Sequence, residues 1–311
     1  MMVAVVIVNW NQAADTVVCA RAVQAWPLAA AHIWVVDNAS SGDDVERIQR
    51  DCPGVHLLRS PENRGFAGGN NLALAEIVSQ SYQAVLLLNN DASIDGDSLA
   101  SLCAVLDAHS EIGVVGPVLW DAGAPPPGRI LSTGGRDIAH HVTSHLQTPL
   151  SAGQTREVDY VPGTCVLIRI DVLRVLGLMD EAFFFSGEVA AFCREAWQHG
   201  YRCSIDGNAR ANHALHRSAG ARGGLHAYYV IRNRFLFIHK FYRRQQGWLR
   251  GYWILIAAYN SLSALVHGDL RRAKATALGC VDGLMGRFGG QNARVLRFIG
   301  AGIAAEQRVG E

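Results

Sequence analysis

Short apolar runs alternate with amphipathic stretches along the first 90 residues of the chain. The run VAVVIV at 3–8 is rich in β-branched residues, which is typical of a strand buried on both faces of a parallel sheet. Strand and helix patterns alternate four times, as in an open sheet with helices on both faces. The predicted strands are 3–8, 32–36, 55–58 and 84–88, and the predicted helices are 15–24, one from about 43, and 72–78.

The pattern changes after residue 118. APPPG at 124–128 is a turn-rich break, and 129–160 reads as loops with short strands. Residues 161–178 again predict a strand and a short helix, and the chain after about 226 reads as helical. We therefore predict an α/β domain over residues 1–230 and a helical C-terminal extension over 231–311.

Composition narrows the class of protein. The chain has 311 residues, of which 50% are hydrophobic and 18% charged, so it is a folded protein of one or two domains. The net charge of +1 gives no general attraction to polyanions, so we expect no nucleic-acid partner and only local anion sites. Seven scattered cysteines form no CxxC pair, which favours a reducing cytoplasm over a disulfide framework.

Two apolar segments raise the question of a membrane. Residues 1–8 lack the basic leader of a signal peptide, so we interpret them as the first strand. The most apolar later stretch, 252–266, is about 15 residues long, and a span needs ~20. Such a stretch could lie on a bilayer without crossing it.

Polar motifs follow three of the predicted strands, at the edge where ligands bind in open α/β sheets. Asp37 ends the second strand and could accept a hydrogen bond from a nucleobase or ribose, although Asp also caps helices well. A glycine-rich turn occupies 63–71 and could hold an anion at the helix that follows. Asp91 ends the fourth strand and could bind a divalent cation. Taken alone, the glycine-rich segment and the segment at Asp91 each read as an ordinary turn.

Together and in this order, the motifs resemble the inverting glycosyltransferases of family 2, in particular the rhamnosyltransferase-like branch of bacterial polysaccharide assembly. The resemblance covers about residues 3–240 and is highly specific. The segments that carry it are VVIVNWNQ, VVDNASS, PENRGFAGGNN, LLLNNDASI, STGG at 132–135, VDYVPGTCVLIR and GLMDEAFFFSGE within 158–188, HALHRSAG at 213–220 and YYVIRNRFLF at 228–237.

The resemblance implies a GT-A fold and a sugar donor that is a nucleotide diphosphate, with dTDP-rhamnose or a UDP-sugar expected. It implies Mg²⁺ or Mn²⁺ as cofactor, held by Asp91 and His213, although His213 could also be a surface or capping residue. Arg232 and Asn233 could touch phosphate or brace a helix. The donor-binding residues implied by position are Asn9, Asp37, Asn63, Arg64, Gly65, Gly68, Asn70, Asn90 and Arg232.

One departure concerns the general base. The family usually reads Gly-Glu-Asp-x-Asp, and the first Asp takes the acceptor proton, whereas this chain has Val189 and Ala191 at the two Asp positions. Glu188 is the favoured replacement, with Asp180 or Glu181 of the preceding turn as alternatives. If no base remains, the chain is a catalytically silent nucleotide-sugar binder acting as a regulator or partner. A missing GxGxxG argues against a dinucleotide oxidoreductase.

The C-terminal segment indicates where the protein meets its acceptor. Aromatic and basic residues are interleaved over 232–250, which suits an anionic membrane surface. We expect a cytoplasmic protein, in peripheral contact with the inner face of the membrane, that acts on a glycan or lipid-linked acceptor. A helical subdomain packed on the catalytic domain and a dimer interface are the alternatives.

Overall fold

The computed structural model describes residues 1–26, 31–125, 128–214 and 221–300. Within these ranges one sheet contains the strands β1 Val3–Asn9, β2 Ala31–Asp37, β3 His56–Arg59, β4 Ala84–Asn89, β5 Ala92–Ile94, β6 Ile112–Asp121, β7 Ile130–Ser132, β8 Thr155–Val158, β9 Cys165–Arg169 and β10 Arg202–His213. The α-helices described are α1 Ala13–Gln24, α2 Asp44–Asp51, α3 Gly65–Ile77, α4 Gly96–Ala108, α5 Ile170–Leu176, α6 Glu188–Gln198, α7 Ala221–Phe241, α8 Gln246–Val266, α9 Leu270–Leu284 and α10 Asn292–Ile299.

The strands run in the order β3-β2-β1-β4-β9-β6-β10-β5, with β7 beside β6 and β8 beside β10. The first four are mutually parallel, and so are β6 and β10, whereas β9 is antiparallel to both of its neighbours. The parallel strands bring the motifs that follow β1, β2 and β4 to one edge of the sheet. This confirms the predicted α/β architecture with a mostly parallel sheet.

Helices cover both faces of the sheet, so the central strands are buried on both faces. Val5 and Ile7 of β1 pack with α1 and α4 on one face, while Ala4 and Val6 pack with α3 and α6 on the other. A strand that alternates between two apolar layers reads as a continuous apolar run. The strand predicted at 3–8 is therefore confirmed.

The glycine-rich segment is not a turn, and this prediction was wrong. Helix α3 begins at Gly65, seven residues before the predicted start at 72, so the glycines lie in its first turns. Glycine costs about 0.5–1 kcal/mol in a helix relative to alanine, which hides such a helix from a pattern argument. Close packing explains the glycines: a Cβ at Gly68 would lie 2.5 Å from the Arg64 Cβ.

The C-terminal helices pack against the sheet domain. Ile231 and Phe235 of α7 and Trp253 of α8 belong to the same apolar core as β4 and α6. The predicted domain boundary at 230 falls inside α7, and it stays a prediction. Among the described residues, none of the helices has both the length and the hydropathy that crossing a bilayer requires.

Candidate active site

The ends of β1 and β2 lie side by side, because Asn9 pairs in parallel register with Asp37. Asn9 is fully buried, and its amide Nδ2 donates to Asp37 Oδ1 at 3.0 Å, to Ser40 Oγ at 2.9 Å and to Asp44 Oδ2 at 2.8 Å. The amide Nδ2 of Asn9 is therefore engaged in hydrogen bonds within the protein. The geometry therefore favours a positioning role for Asn9, and its direct contact with the donor stays a prediction.

Thr16 of α1 links the first strand end to the fourth. Its hydroxyl donates to Asn9 Oδ1 at 2.7 Å and accepts from Asn90 Nδ2 at 3.1 Å. The hydrogen bonds run from Asn90 through Thr16 and Asn9 to Asp37, so the strand ends form one polar network. Sequence reasoning missed Thr16, because nothing in a helical pattern distinguishes one threonine whose partners lie on distant strands.

Asn38 anchors the start of α3 to the end of β2. It is buried, its Nδ2 donates to Gly65 O at 3.0 Å and Asn63 Oδ1 at 3.2 Å, and its Oδ1 accepts from Arg64 N at 3.0 Å. Asn63 Oδ1 also accepts from Gly65 N at 2.9 Å. The segment predicted to hold the base and ribose is thus fixed next to Asp37. Asn38 was quoted in a motif but not singled out, although a polar residue buried beside Asp37 could have drawn attention.

Gly65 has the backbone conformation that this junction requires. Its φ is +69°, and a Cβ there would lie 2.2 Å from Phe184 O. The next amide, Phe66 N, donates to the same carbonyl at 2.7 Å. The loop before α6 therefore closes directly on the start of α3. Asn70 lies one turn further on, buried, with Nδ2 bonded to Phe66 O at 2.9 Å.

The candidate metal ligands also meet. Asp91 follows β4, His213 ends β10, and Ala92 pairs with His213 in antiparallel register. His213 Nε2 lies 3.2 Å from Asp91 Oδ1, and that oxygen is buried without a hydrogen bond of good geometry from the part of the chain described. Residues 215–220 of the HALHRSAG motif lie outside the described residues.

The donor set fits a divalent cation shared with a substrate. The imidazole Nε2 of His213 and the carboxylate Oδ1 of Asp91 lie 3.2 Å apart, so the two side chains would be near enough to hold one divalent cation. No group of three or more His, Cys, Asp or Glu that could hold a metal occurs in the described ranges. Mg²⁺ commonly takes few protein ligands and completes its shell with water and substrate phosphates, so two protein ligands suffice.

Two of the three candidate base carboxylates are held by cations. Both Glu181 oxygens accept from Arg64 Nη2, at 2.8 and 2.9 Å, and Asn71 Nδ2 donates to Oε1 at 3.0 Å. Asp180 Oδ2 lies 2.7 Å from Lys240 Nζ, while its Oδ1 caps the short 3₁₀ turn that follows. The ion pair with Glu181 also fixes the position of Arg64, which is expected to contact the donor. Both acids therefore already fulfil structural roles.

Glu188 differs from both. It begins α6 and is buried, and its Oε2 has no hydrogen-bond partner among the residues described. Burial raises the pKa of the Glu188 carboxyl from 4.5 to about 7, partly offset by its own backbone N–H. A carboxyl with a pKa near the working pH is the kind that enzymes use to accept a proton.

A strained loop leads into Glu188. Phe184 and Ser186 have φ of +62° and +69°, values that cost side-chain-bearing residues free energy, and Gly187 follows at +96°. Asn233 of α7 holds this loop, since its Nδ2 donates to Phe183 O, Phe185 O and Ser186 O.

Arg232 supports the same loop from the neighbouring position. The side chain is fully buried, with Nη2 donating to Phe183 O at 2.7 Å and Nη1 to Gly289 O at 2.8 Å. Burial lowers the pKa of its guanidinium. The geometry favours the bracing alternative for Arg232, and its contact with donor phosphate stays a prediction.

The two positions where the family usually has Asp face the core. Val189 and Ala191 are buried, and a Cβ on Gly163 would lie 3.0 Å from Val189 Cγ2. The next residue, Thr164, accepts a hydrogen bond at its carbonyl from Asn89 N at 2.9 Å. Residues 163–164 thus adjoin both Val189, which follows Glu188 in α6, and Asn89 at the end of β4.

The sequence model described as glycosyl transferase family 2 matches residues 4–177, more than half of the chain. The chain belongs to glycosyl transferase family 2. It is therefore a glycosyltransferase, as the motifs predicted. The match ends before Glu188, so it covers the strand-end motifs and not the candidate base.

Curated relatives of the chain include rhamnosyltransferases. A dTDP-rhamnosyl transferase of Shigella flexneri, RfbF, is 22% identical over 270 residues, which are 83% of this chain and 88% of the relative. An N-acetylglucosaminyl-diphospho-decaprenol L-rhamnosyltransferase of Mycobacterium tuberculosis is 22% identical over 275 residues, which are 81% of this chain and 88% of that one.

Solved structures confirm the GT-A-type fold. The crystal structure of GalNAc-T7 with UDP, GalNAc and Mn²⁺ superposes with a TM-score of 0.64 at 15% sequence identity. The match takes in 99% of this chain and 58% of that one, so this chain spans little more than half of the larger protein. At this identity the likeness shows the fold alone.

Proposed function

We propose that this family 2 enzyme transfers a sugar from a nucleotide diphosphate donor to a glycan or lipid-linked acceptor with inversion at the anomeric carbon. One observation carries the proposal: of three candidate carboxylates, only Glu188 is buried with an oxygen that lacks a partner in the described structure. Arg64 and Lys240 hold the other two, Glu181 and Asp180.

The donor lies along the carboxyl ends of β1, β2 and β4 in this proposal. Asp37 accepts a hydrogen bond from the base, and the start of α3, fixed by Asn38, lines the ribose. We propose dTDP-rhamnose as the leading donor, with a UDP-sugar as the alternative, because the motifs resemble the rhamnosyltransferase branch and a dTDP-rhamnosyl transferase is among the relatives.

Asp91 and His213 hold a divalent cation, Mg²⁺ or Mn²⁺, in this proposal. When bound, the cation supplies positive charge that stabilises the departing diphosphate. The unsatisfied Asp91 oxygen and the 3.2 Å approach of His213 support the assignment. GalNAc-T7, which has the same fold, was crystallised with Mn²⁺.

Glu188 acts as general base. The acceptor hydroxyl oxygen forms a bond to the anomeric carbon while the bond from that carbon to the diphosphate oxygen breaks, and the hydroxyl proton passes to the Glu188 carboxylate. One displacement inverts the configuration. The carboxylate must be ionised to act, which a pKa of about 7 permits at neutral pH.

We also propose that the reaction takes place at the cytoplasmic face of a membrane, with the extension in peripheral contact. The support is the lipid-linked substrate printed in the name of the mycobacterial relative, together with the basic and aromatic C-terminal segment.

Calorimetric titration tests the donor site. UDP, dTDP and GDP are each titrated with Mn²⁺ and with a chelator, and binding of a pyrimidine diphosphate that requires Mn²⁺ is expected. Transfer from dTDP-rhamnose and UDP-sugars to polyprenyl-diphosphate sugars then tests the acceptor. Failure of all three nucleotides to bind would reject the proposed site, and equal binding with chelator would reject the metal.

A further inference from the structure

Helix α8 carries apolar side chains on the face that points to solvent. Its inner face packs Leu249, Trp253 and Ala257 into the core. On the opposite face, five large apolar side chains are between 58% and 77% exposed. These residues, called here the α8 stripe, are Trp248, Leu255, Tyr259, Leu262 and Val266.

The α8 stripe is one continuous surface and not a scatter of exposed residues. Its members are seven, four, three and four residues apart, which places them on one side of a helix. The polar side chains of the same helix lie elsewhere, such as Ser261, whose hydroxyl donates to Ala273 O at 3.3 Å. A helix that faces water normally shows polar residues on its outer side. The apolar outer face of α8 therefore indicates an interaction surface.

The surroundings of α8 are strongly basic. Residues 240–300 hold ten Lys or Arg against two Asp, a surplus of eight positive charges in a chain whose net charge is +1. Both acids are already engaged: Asp269 caps α9, and Asp282 is buried between Arg287 and Arg294. The remaining described part of the chain is therefore net acidic, and the charge asymmetry favours an anionic partner for the extension.

Basic side chains lie at both ends of α8. Arg243 and Arg244 are exposed just before the helix begins, and Arg271 and Arg272 are exposed shortly after it ends. An apolar helical face with aromatic residues and flanking arginines is the pattern of a helix that lies in the plane of a membrane interface. Trp and Tyr, both present in the stripe, favour the headgroup level.

We propose that the α8 stripe docks on a bilayer rich in anionic lipid, with the helix lying in the plane of the interface. The stripe enters the boundary of the acyl chains, and the flanking arginines meet anionic headgroups. A second copy of the chain fits this face less well, because two-fold pairing through α8 would bring two basic surfaces together. This inference rests on the proposed function only in that a lipid-linked acceptor would be present on such a surface.

Vesicle flotation of the full chain tests the proposal. Wild type is expected to float with vesicles containing phosphatidylglycerol and to remain behind with pure phosphatidylcholine, and rising salt should release it. The double variant Leu255→Asp/Leu262→Asp is expected to lose about tenfold or more of the bound fraction. Val18→Asp on α1 is the matched control, since Val18 is an equally exposed apolar residue of the sheet domain.

Three results would overturn the proposal, and the first two are wild type that does not bind anionic vesicles and a double variant that floats as well as wild type. A dimer of wild type that dissociates in the double variant would instead make the stripe a contact between copies and also overturn it. Binding of dTDP or UDP with Mn²⁺ is measured on the same samples. Wild type that binds nucleotide but does not bind anionic vesicles rejects only the docking surface, whereas wild type that binds vesicles but no nucleotide rejects only the proposed function.

Discussion

Glu188 provides the sharpest test at the scale of single residues. Because burial raises its pKa to about 7 and the base must be ionised, kcat/KM is expected to rise with pH and to level off above about 7. Glu188→Gln should lower kcat by ~100-fold or more while donor affinity stays the same. The measurements are steady-state rates of wild type and Glu188→Gln over a series of pH values, and calorimetric titration of both proteins with the donor. Undiminished turnover in Glu188→Gln would return the role to Asp180 or Glu181.

Glu188 should also affect stability in a way that does not depend on activity. Its folded pKa lies above the ordinary 4.5, so the folded state favours the protonated form and loses stability as the pH rises through about 7. Glu188→Gln removes this loss, and the variant should be more stable than wild type above pH 7 by on the order of 3 kcal/mol. Denaturant unfolding at acidic and alkaline pH measures the difference. A gap that does not widen with pH would contradict the burial argument.

Asp91 is the residue that tests the cation. Asp91→Ala removes one of two protein ligands, so the Mn²⁺-dependent part of nucleotide diphosphate binding should weaken by roughly 100-fold, while binding in chelator stays unchanged. Asp97→Ala, an exposed acid on α4, is the matched control. An Asp91→Ala protein with wild-type metal dependence would remove Asp91 from the site.

At the scale of elements, the clamp between α7 and the loop before α6 makes Asn233 a positioning residue. Asn233→Asp keeps the size of the side chain but replaces the amide donor with an acceptor facing three carbonyls. Glu188 should then be displaced, with kcat reduced about tenfold or more and the donor KM unchanged.

The pH profile and the separate values of kcat and KM distinguish this role from simple loss of structure. The pH at which kcat/KM levels off should shift in Asn233→Asp, since the surroundings of Glu188 change, whereas a merely destabilised protein would keep it. Asn260→Asp on α8 is the control for the same change elsewhere. A rise of the donor KM with kcat unchanged would contradict the positioning role.

The sequence predicted the elements whose pattern of apolar residues depends only on their own burial. The strands that became β1, β2 and β4 are apolar runs, and the polar residues after them mark the edge where the site lies. The start of α3 could not be predicted, because its glycines lower helix propensity and only contact with Phe184 and Arg64 explains them. The Arg64–Glu181 ion pair joins residues 117 positions apart, so no short motif reveals that Glu181 is engaged.

At the scale of the whole molecule, the extension and the sheet domain share one core. Trp253 of α8 is buried, its Nε1 donates to Ala139 O at 2.7 Å, and the Arg234 guanidinium lies 4.8 Å from the centre of its ring. Ala139 belongs to the sheet domain, so this one side chain ties a C-terminal helix to it. A boundary at residue 230 therefore marks a change in the sequence pattern, and the two segments on either side of it share one hydrophobic core.

This shared core predicts that the full chain unfolds in one calorimetric transition. Trp253→Ala should destabilise the whole molecule by about 3–5 kcal/mol, because it opens a cavity and removes the partner of the Ala139 carbonyl. The single transition should move to lower temperature without splitting. Trp248→Ala, an exposed tryptophan on the same helix, is the control and should change stability by less than about 0.5 kcal/mol. Two separate transitions, with only one lowered by Trp253→Ala, would instead mean that residues 231–311 fold as a unit of their own.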